Sequence, residues 1–466
     1  MKEDTIAAVA TPPGEGGIAV VRVSGPEARA VAARVFRPHR GGDPRAFPGY
    51  SVHYGVFQDA ESEEVADDGL LLVFHAPHSY TGEDMIELSC HGGRTATAAV
   101  LRLALQAGAR PAEPGEFTQR AFLNGRLDLA QAEAVADVIR ARTETARRLA
   151  RRQLDGTLSQ AVAELKDELV GILAAIEVTI DFSDEVGDLD YDALESRIIR
   201  VAAGVDKLLA TAGRGRILRE GLRVAIVGRP NVGKSSLLNA LLRAERAIVT
   251  PIAGTTRDLI EEAADIGGLP LVLIDTAGIR PTSDPVERIG VGRAESALAG
   301  CDVALLVLDA SAGLTPEDMA LSEQAAREAG RVLAALNKSD LLAPEPAHRL
   351  AEEARSRLGS ALLVSALTGE GLEALEQALG EMAAGAEGGP GEAADSVVVS
   401  SERHRQALET ARRSLQEAER TVRERLPGDF IAIDVRGALD ALGLITGETV
   451  TEDIIHRIFR DFCVGK

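Results

Sequence analysis

Apolar residues return at three- and four-residue steps in AFLNGRLDLAQAEAVADVIRART and LSQAVAELKDELVGILAAIEVTI, where Ala, Leu and Glu dominate. That spacing gathers the apolar positions on one helical face. No proline lies between Glu116 and Arg229, a stretch of more than a hundred residues, so nothing there removes a backbone donor from a helix. The same texture returns in HRQALETARRSLQEAERTVRERL, after AAGAEGGPGEAAD, which has the composition of a linker. Two helical blocks therefore flank a different middle. There LRVAIVG, LPLVLIDTAG, CDVALLVLDA, RVLAALNKSD and ALLVSA alternate with helical stretches, the pattern of a mostly parallel sheet covered on both faces.

The first part of the chain differs again. Short β-rich runs (IAVVRVSG, LLLVFHAP, MIELSC) are broken by Gly and Pro around one amphipathic helix, TATAAVLRLALQ, and most of the aromatic residues fall here. The chain is thus expected to be an α/β + α multidomain protein: an N-terminal α+β domain (1–120), the first part of a helical domain (121–219), an inserted α/β domain (220–382), and a linker with the second helical part (383–466). The ends of an inserted domain lie close together, which predicts one helical bundle formed from two sequence segments.

Length and composition narrow the class. A chain of 466 residues is too long for one core, and 45% apolar with 26% charged residues describes a folded globular protein. The formal charge of −21 argues against coating nucleic acid through bulk positive charge, so any such contact must be local. Cys90, Cys301 and Cys463 stand singly, without the paired spacing of a zinc site or disulfide framework. With no signal-peptide core at the N-terminus and no membrane span in the sequence, a cytoplasmic protein is expected.

The chemistry sits at strand ends. After LRVAIV comes Gly228-Arg-Pro-Asn-Val-Gly-Lys-Ser235, followed by the helical SLLNALL. Glycines let backbone N–H groups converge on phosphate oxygens at a helix N-terminus, Lys234 neutralises β/γ charge, and Ser235 offers its hydroxyl to Mg²⁺. Asp275, Thr276, Ala277 and Gly278 close a second apolar strand, where a loop sensing the γ-phosphate is expected. Asn337, Lys338, Ser339 and Asp340 close a third; the Asp340 carboxylate can accept from the guanine ring N–H and exocyclic amine, an edge adenine lacks. Ser365 and Ala366 follow a further strand and would support the base, or simply turn the chain. In this order the motifs predict GTP binding. Ile279 follows Gly278, and a branched alkyl group cannot orient water; Glu287 lies nearby but reads, on spacing alone, as a solvated surface acid.

DTIAAVATPPGEGGIAVVRVSGP, SYTGEDMIELSCHGG, PGEFTQRAFLNGRLDLAQAEAVADVI, GRPNVGKSSLLN, GTTRD, DTAGIR, NKSD and the terminal FCVGK occur in this order. The series resembles the MnmE (TrmE) family of tRNA modification GTPases over essentially the whole chain. The G motifs alone would fit many GTPases; the N-terminal blocks and FCVGK are specific. The resemblance implies a Ras-like P-loop GTPase domain inserted in the helical domain, and an N-terminal domain that binds a tetrahydrofolate derivative (formyl or methylene form) and forms a homodimer. It implies joint action with an FAD-dependent partner, MnmG, which builds a carboxymethylaminomethyl or aminomethyl group at C5 of the wobble uridine of certain tRNAs.

Site residues follow from the same resemblance. GTP would contact Asn231, Val232, Gly233, Lys234, Ser235 and Ser236, then Thr250, Pro251, Ile252, Ala253, Gly254, Thr255 and Thr256, together with the strand-end motifs. Ser235 and Thr256 match the Mg²⁺ ligands. Asn231, Thr250, Ile252 and Thr255 match the shell of a K⁺ ion that stands in for an arginine finger. Glu287 matches the glutamate that orients the attacking water, reversing the reading from spacing. Folate contacts fall on Arg22, Glu87, Arg126 and Lys466. A GTP-operated ribosome-assembly or signalling switch would share the G motifs but bind no folate. One basic segment stands out: Arg140 to Arg152 holds six arginines against one acid, either a solvated helix face or a place where tRNA phosphates dock.

Overall fold

The computed structural model describes residues 4–182, 188–243, 261–275, 298, 300–384, 397–460 and 462–466. Two compact units divide the chain: Met1–Ala136 with Gln153–Val170 and Arg436–Lys466, and Asp137–Arg152 with Gly171–Val435.

In the first unit, strands β1 (Ile6–Val9), β2 (Gly16–Ser24), β3 (Phe36–Pro38), β4 (Ser51–Gln58), β5 (Val65–Phe74), β6 (Met85–Gly92) and β7 (Arg110–Pro111) form one sheet in the order β3-β4-β5-β6-β2-β1-β7. All pairs are antiparallel except β1 with β7. Alternation decides the two faces. Val21, Val23, Phe57, Leu71, Ile86 and Leu88 point into a core shared with α1 (Ala28–Val35) and α2 (Arg94–Gln106). On the β2–β6 pair, Arg22 and Glu87 lie directly opposite each other and face the other side. There Ile6 and Ala8 pack on Phe117 of α3 (Glu116–Leu123).

The Pro-free stretch is helical but not continuous. Gly125 takes φ +69 after α3. A capping exchange follows, in which Gln131 N–H donates to Asp128 Oδ1 (2.8 Å) and Asp128 N–H to Gln131 Oε1 (3.0 Å), starting α4 (Leu129–Arg140). A second break precedes α5 (Glu144–Leu154), where Ala146 N–H donates to Thr143 Oγ1 at 3.1 Å. α6 (Thr157–Asp181) completes the run. Apolar periodicity says which face of each helix is buried; the breaks are decided by these side-chain caps and one left-handed glycine.

In the second unit, α7 (Tyr191–Ala210) and α8 (Ala212–Glu220) lead into β8 (Leu222–Val227), α9 (Lys234–Arg243), β9 (Glu261–Ile266), β10 (Leu269–Asp275), β11 (Val303–Asp309), α10 (Pro316–Ala329), β12 (Val332–Asn337), α11 (Pro344–Leu358), β13 (Ala361–Leu363) and α12 (Leu372–Ala384). The sheet order is β13-β12-β11-β8-β10-β9, parallel except for the β9–β10 hairpin. Core clusters on both faces of this sheet make it a doubly wound α/β domain. α13 (Glu402–Arg423), which follows the sheet domain in the chain, packs on α7, which precedes it. Arg412 Nε donates to Asp206 Oδ1 at 2.8 Å, and Tyr191 Oη to the Leu426 carbonyl at 3.1 Å. α14 (Gly428–Thr446) and α15 (Glu452–Arg460) end the chain. Among the described residues no helix is long and apolar enough to cross a membrane.

Candidate functional site

β8 delivers the chain to the phosphate loop, and α9 begins at Lys234. Lys234 Nζ donates to the carbonyls of Gly228 and Arg229, both at 2.7 Å. The ammonium is thereby held across the loop at a helix N-terminus, where free amide N–H groups and the helix dipole favour an anion. Asn231 adopts φ +64 and Gly233 φ +96. A Cβ on Gly233 would stand 2.2 Å from Asn337 Nδ2, so only glycine lets the loop after β12 lie against the phosphate loop. Ser235 and Ser236 lie in the first turn of α9.

The end of β12 and the residues after it are tied to that loop. Asn337 Nδ2 donates to the Val232 carbonyl (2.9 Å) while its Oδ1 accepts from Ala366 N–H (3.0 Å), so one buried amide joins three segments. Ser365 Oγ donates to Asp340 Oδ1 at 2.6 Å, fixing the orientation of that carboxylate. Lys338, at φ +64, donates to the Asn231 carbonyl (2.9 Å) and to Asp309 Oδ2 (2.5 Å). Burial pushes the Asp309 carboxyl up, but Lys338 and Ser311 outweigh it and hold it below the ordinary value. The buried Ser339 hydroxyl has no hydrogen-bond partner among the described residues, as fits a loop completed by a ligand. Asp275 closes β10 opposite Ile226. Thr250, Pro251, Ile252, Ala253, Gly254, Thr255, Thr256, Thr276, Ala277, Gly278 and Glu287 lie outside the described residues.

One support of the loop was not anticipated from the sequence. Arg229 Nε donates to Asp318 Oδ1 at 2.7 Å, and the Asp318 side chain is fully buried. The other oxygen, Oδ2, accepts from Thr315 N–H (3.0 Å) and Thr315 Oγ1 (2.8 Å) in the capping box of α10. The carboxylate thus caps a helix and anchors the phosphate loop together. T-P-E-D signals the cap; nothing local signals Arg229.

In the first unit, Arg22 Nε donates to Glu87 Oε1 at 2.9 Å, with side-chain exposures of 14% and 18%. The Arg22 guanidinium lies over the rings of Tyr80 (5.2 Å) and Phe117 (5.7 Å), and Nη1 donates to the Gly465 carbonyl at 3.4 Å. Gly465 has φ +96, and a Cβ there would stand 2.2 Å from the Val9 carbonyl oxygen; glycine lets the C-terminal tail lie flat on β1. Burial, then the Arg22 charge, lowers the Lys466 ammonium below its ordinary value, with Glu87 acting against them. Arg22, Glu87 and Lys466 therefore come together. Arg126 is exposed, with Gly82 beside its stem: a Cβ on that glycine would be 3.3 Å from Arg126 Cγ. It joins the cluster only through the loop that carries Tyr80. The tail is seated by Phe459 and Phe462, packed with Leu129, Ala132 and Val135 of α4.

A buried ion network frames this cluster. Arg120 donates to Asp4 Oδ1 (2.7 Å), Glu116 Oε1 (3.0 Å) and Glu83 (3.2 Å). Glu83 accepts from Ser24 Oγ (2.8 Å), and Ser24 Oγ lies 2.7 Å from Thr81 Oγ1. Thr81 and Glu83, which follow Tyr80, are thereby fixed, and Tyr80 Oη itself lies 2.7 Å from Thr118 Oγ1. Cys90 is buried and Cys463 exposed.

Residues 129–463 match the family model for the MnmE helical domain, and residues 5–126 that for the GTP-binding protein TrmE N-terminus. The chain is 50% identical over 467 residues to the tRNA modification GTPase MnmE of Moorella thermoacetica, covering 100% of both chains. It is 49% identical over 475 residues to that of Symbiobacterium thermophilum, again covering 100% of both. Among solved structures, a variant of Aquifex aeolicus Era bound to GDP.AlF4- is 30% identical, with 41% of this chain and 65% of that chain covered and a TM-score of 0.30. The full-length identity, together with the two family models on either side of residue 127, shows that the chain belongs to the MnmE (TrmE) family of tRNA modification GTPases.

Proposed function

We propose that this GTPase acts with an FAD-dependent partner to add a carboxymethylaminomethyl or aminomethyl group at C5 of the wobble uridine of certain tRNAs, using a tetrahydrofolate one-carbon donor, as a cytoplasmic homodimer. The observation that carries the folate part is the closure of the tail on the sheet. Arg22 and Glu87 come from paired strands, and the terminal Lys466 is drawn down to them. A cation held between a carboxylate and two aromatic rings fits a flat heterocycle bearing carboxylate groups. Glu87 holds Arg22 in place, Lys466 adds a second positive group, and the rings exclude water. Arg126, whose stem lies beside Gly82, would add a further contact from the edge of the loop that carries Tyr80.

In the nucleotide site, Lys234 draws the phosphates into the loop, Asn231 and Ser235 offer neutral oxygens, and Asp340, aligned by Ser365, selects guanine. Thr250, Ile252, Thr255 and Thr256 would complete the K⁺ and Mg²⁺ shells, and Glu287 would orient water. When bound, these cations supply positive charge against the transferring phosphoryl group. The exposed Val52 and Tyr54 of β4, with exposed Leu70 opposite Tyr54 on β5, support association of two copies, since adjoining apolar side chains are costly to leave in water. Mass spectrometry of tRNA nucleosides from a strain lacking this chain tests the reading: unmodified wobble uridine is expected, and an unchanged profile overturns it. Titration with formyl-tetrahydrofolate separates it from a GTP-operated assembly switch, which would bind none.

A further inference from the structure

A cavity of about 310 Å³ opens at the junction of α4 and α5, lined by Asp137, Arg140, Arg142, Arg219, Glu220 and Ser400 and by the apolar Leu149. At ~30 Å³ per water it has room for roughly ten waters, more than a single small ion needs. Arg219 Nε donates to Asp137 Oδ1 at 2.8 Å, leaving Asp137 9% exposed, and Glu220 lies 4.0 Å from Arg216 one turn back along α8. Three arginines (Arg140, Arg142 and Arg219) against two acids (Asp137 and Glu220) give the lining a positive formal charge whatever the pairing within it.

The adjoining helix continues the field. Arg147 and Arg148 share one carboxylate, Glu144, at 2.8 and 2.9 Å, and Arg151 and Arg152 follow one turn on. In a chain of net charge −21, this is a local basic surface with a recess at one end. A recess of that size beside a basic helix suits a phosphodiester with its sugar, the neighbouring phosphates lying along α5.

We propose that this cavity seats a backbone phosphate of the tRNA and that α5 carries the flanking phosphates. The proposal rests on the tRNA-modifying reading above and locates the RNA on this chain. Phosphate contacts of this kind set position and register, leaving choice of base to other contacts.

The test measures tRNA affinity of the full chain from 50 to 300 mM KCl for wild type, the double variant R140E/R142E and the milder R140Q/R142Q. GTP turnover, which uses neither arginine, serves as the check on folding. Expected is affinity weakened about tenfold or more by the charge reversal, less by the glutamines, and a slope of log K against log salt reduced by about 1 to 2. Unchanged affinity and slope with intact turnover overturn the site while leaving the tRNA reading standing. A wild-type chain that binds no tRNA also overturns the site, while the wobble-uridine profile of the deletion strain decides the tRNA reading separately. Titrations with inorganic phosphate and with GTP separate a small-anion site: their loss in the variants, with tRNA binding unaltered, would also overturn the proposal.

Discussion

Lys234 in the phosphate loop reaches carbonyls five and six residues away, whereas Arg22 in the N-terminal sheet reaches the Gly465 carbonyl, 443 residues along the chain. The first site is made by local backbone: a strand end, two left-handed residues and a helix start. The second exists only once β2 has paired with β6, α15 has docked and the tail has folded over β1. A local site is damaged residue by residue. A closure site is also lost by anything that frees the tail, so the two should fail differently under mutation and under acid.

The largest expected effect belongs to the local site. Lys234→Ala removes the charge held across the loop and should weaken GTP binding by about 3 kcal/mol in calorimetry, while formyl-tetrahydrofolate binding stays at the wild-type level. Parallel loss of folate binding would break the separation of the sites. Glu287→Ala should lower kcat about a hundredfold with GTP affinity within about twofold; preserved turnover would return Glu287 to a surface acid. Arg22→Ala should weaken folate binding by about 2 kcal/mol, the scale of a charge-assisted hydrogen bond, with GTP turnover unaltered.

The smallest effect is in acid. Arg110 holds the Asp4 carboxyl below its ordinary value; burial pushes the Glu116 carboxyl up, but Arg110 and Arg120 outweigh it and hold that group low as well. A depressed carboxyl stabilises fully above its unfolded value, near pH 4, and loses that contribution as the pH falls through the lower folded-state value. The first unit should therefore melt earlier as the pH drops below about 4. Asp4→Asn should flatten that dependence by about 2–4 °C in Tm; identical pH curves would remove the network from the account.

The contrast also explains what could be read from the chain. GRPNVGKS and NKSD can be read because motifs of this kind carry their groups on consecutive residues at a strand end. The α-helical faces were legible too, but the breaks at Asn124–Asp128 and before Thr143 were not, because apolar periodicity carries on through them. Asp128 and Gln131 show the cap only once the turn is known. The meeting of Arg22 with Glu87 depends on strand register, and that of Arg229 with Asp318 on packing of the phosphate loop against the start of α10; neither leaves a spacing signal. Family resemblance supplied Arg22, Glu87 and Lys466, whereas Tyr80, Phe117 and Arg120 emerged from the fold.

The central claim is that one chain carries two separable sites, both needed for tRNA modification. The most direct test complements a strain lacking this chain with wild type or with Arg22→Ala, and reads wobble uridine by mass spectrometry alongside GTP turnover of the purified proteins. The account predicts full modification with wild type, and unmodified uridine with undiminished turnover for the variant. Full modification by Arg22→Ala would contradict it.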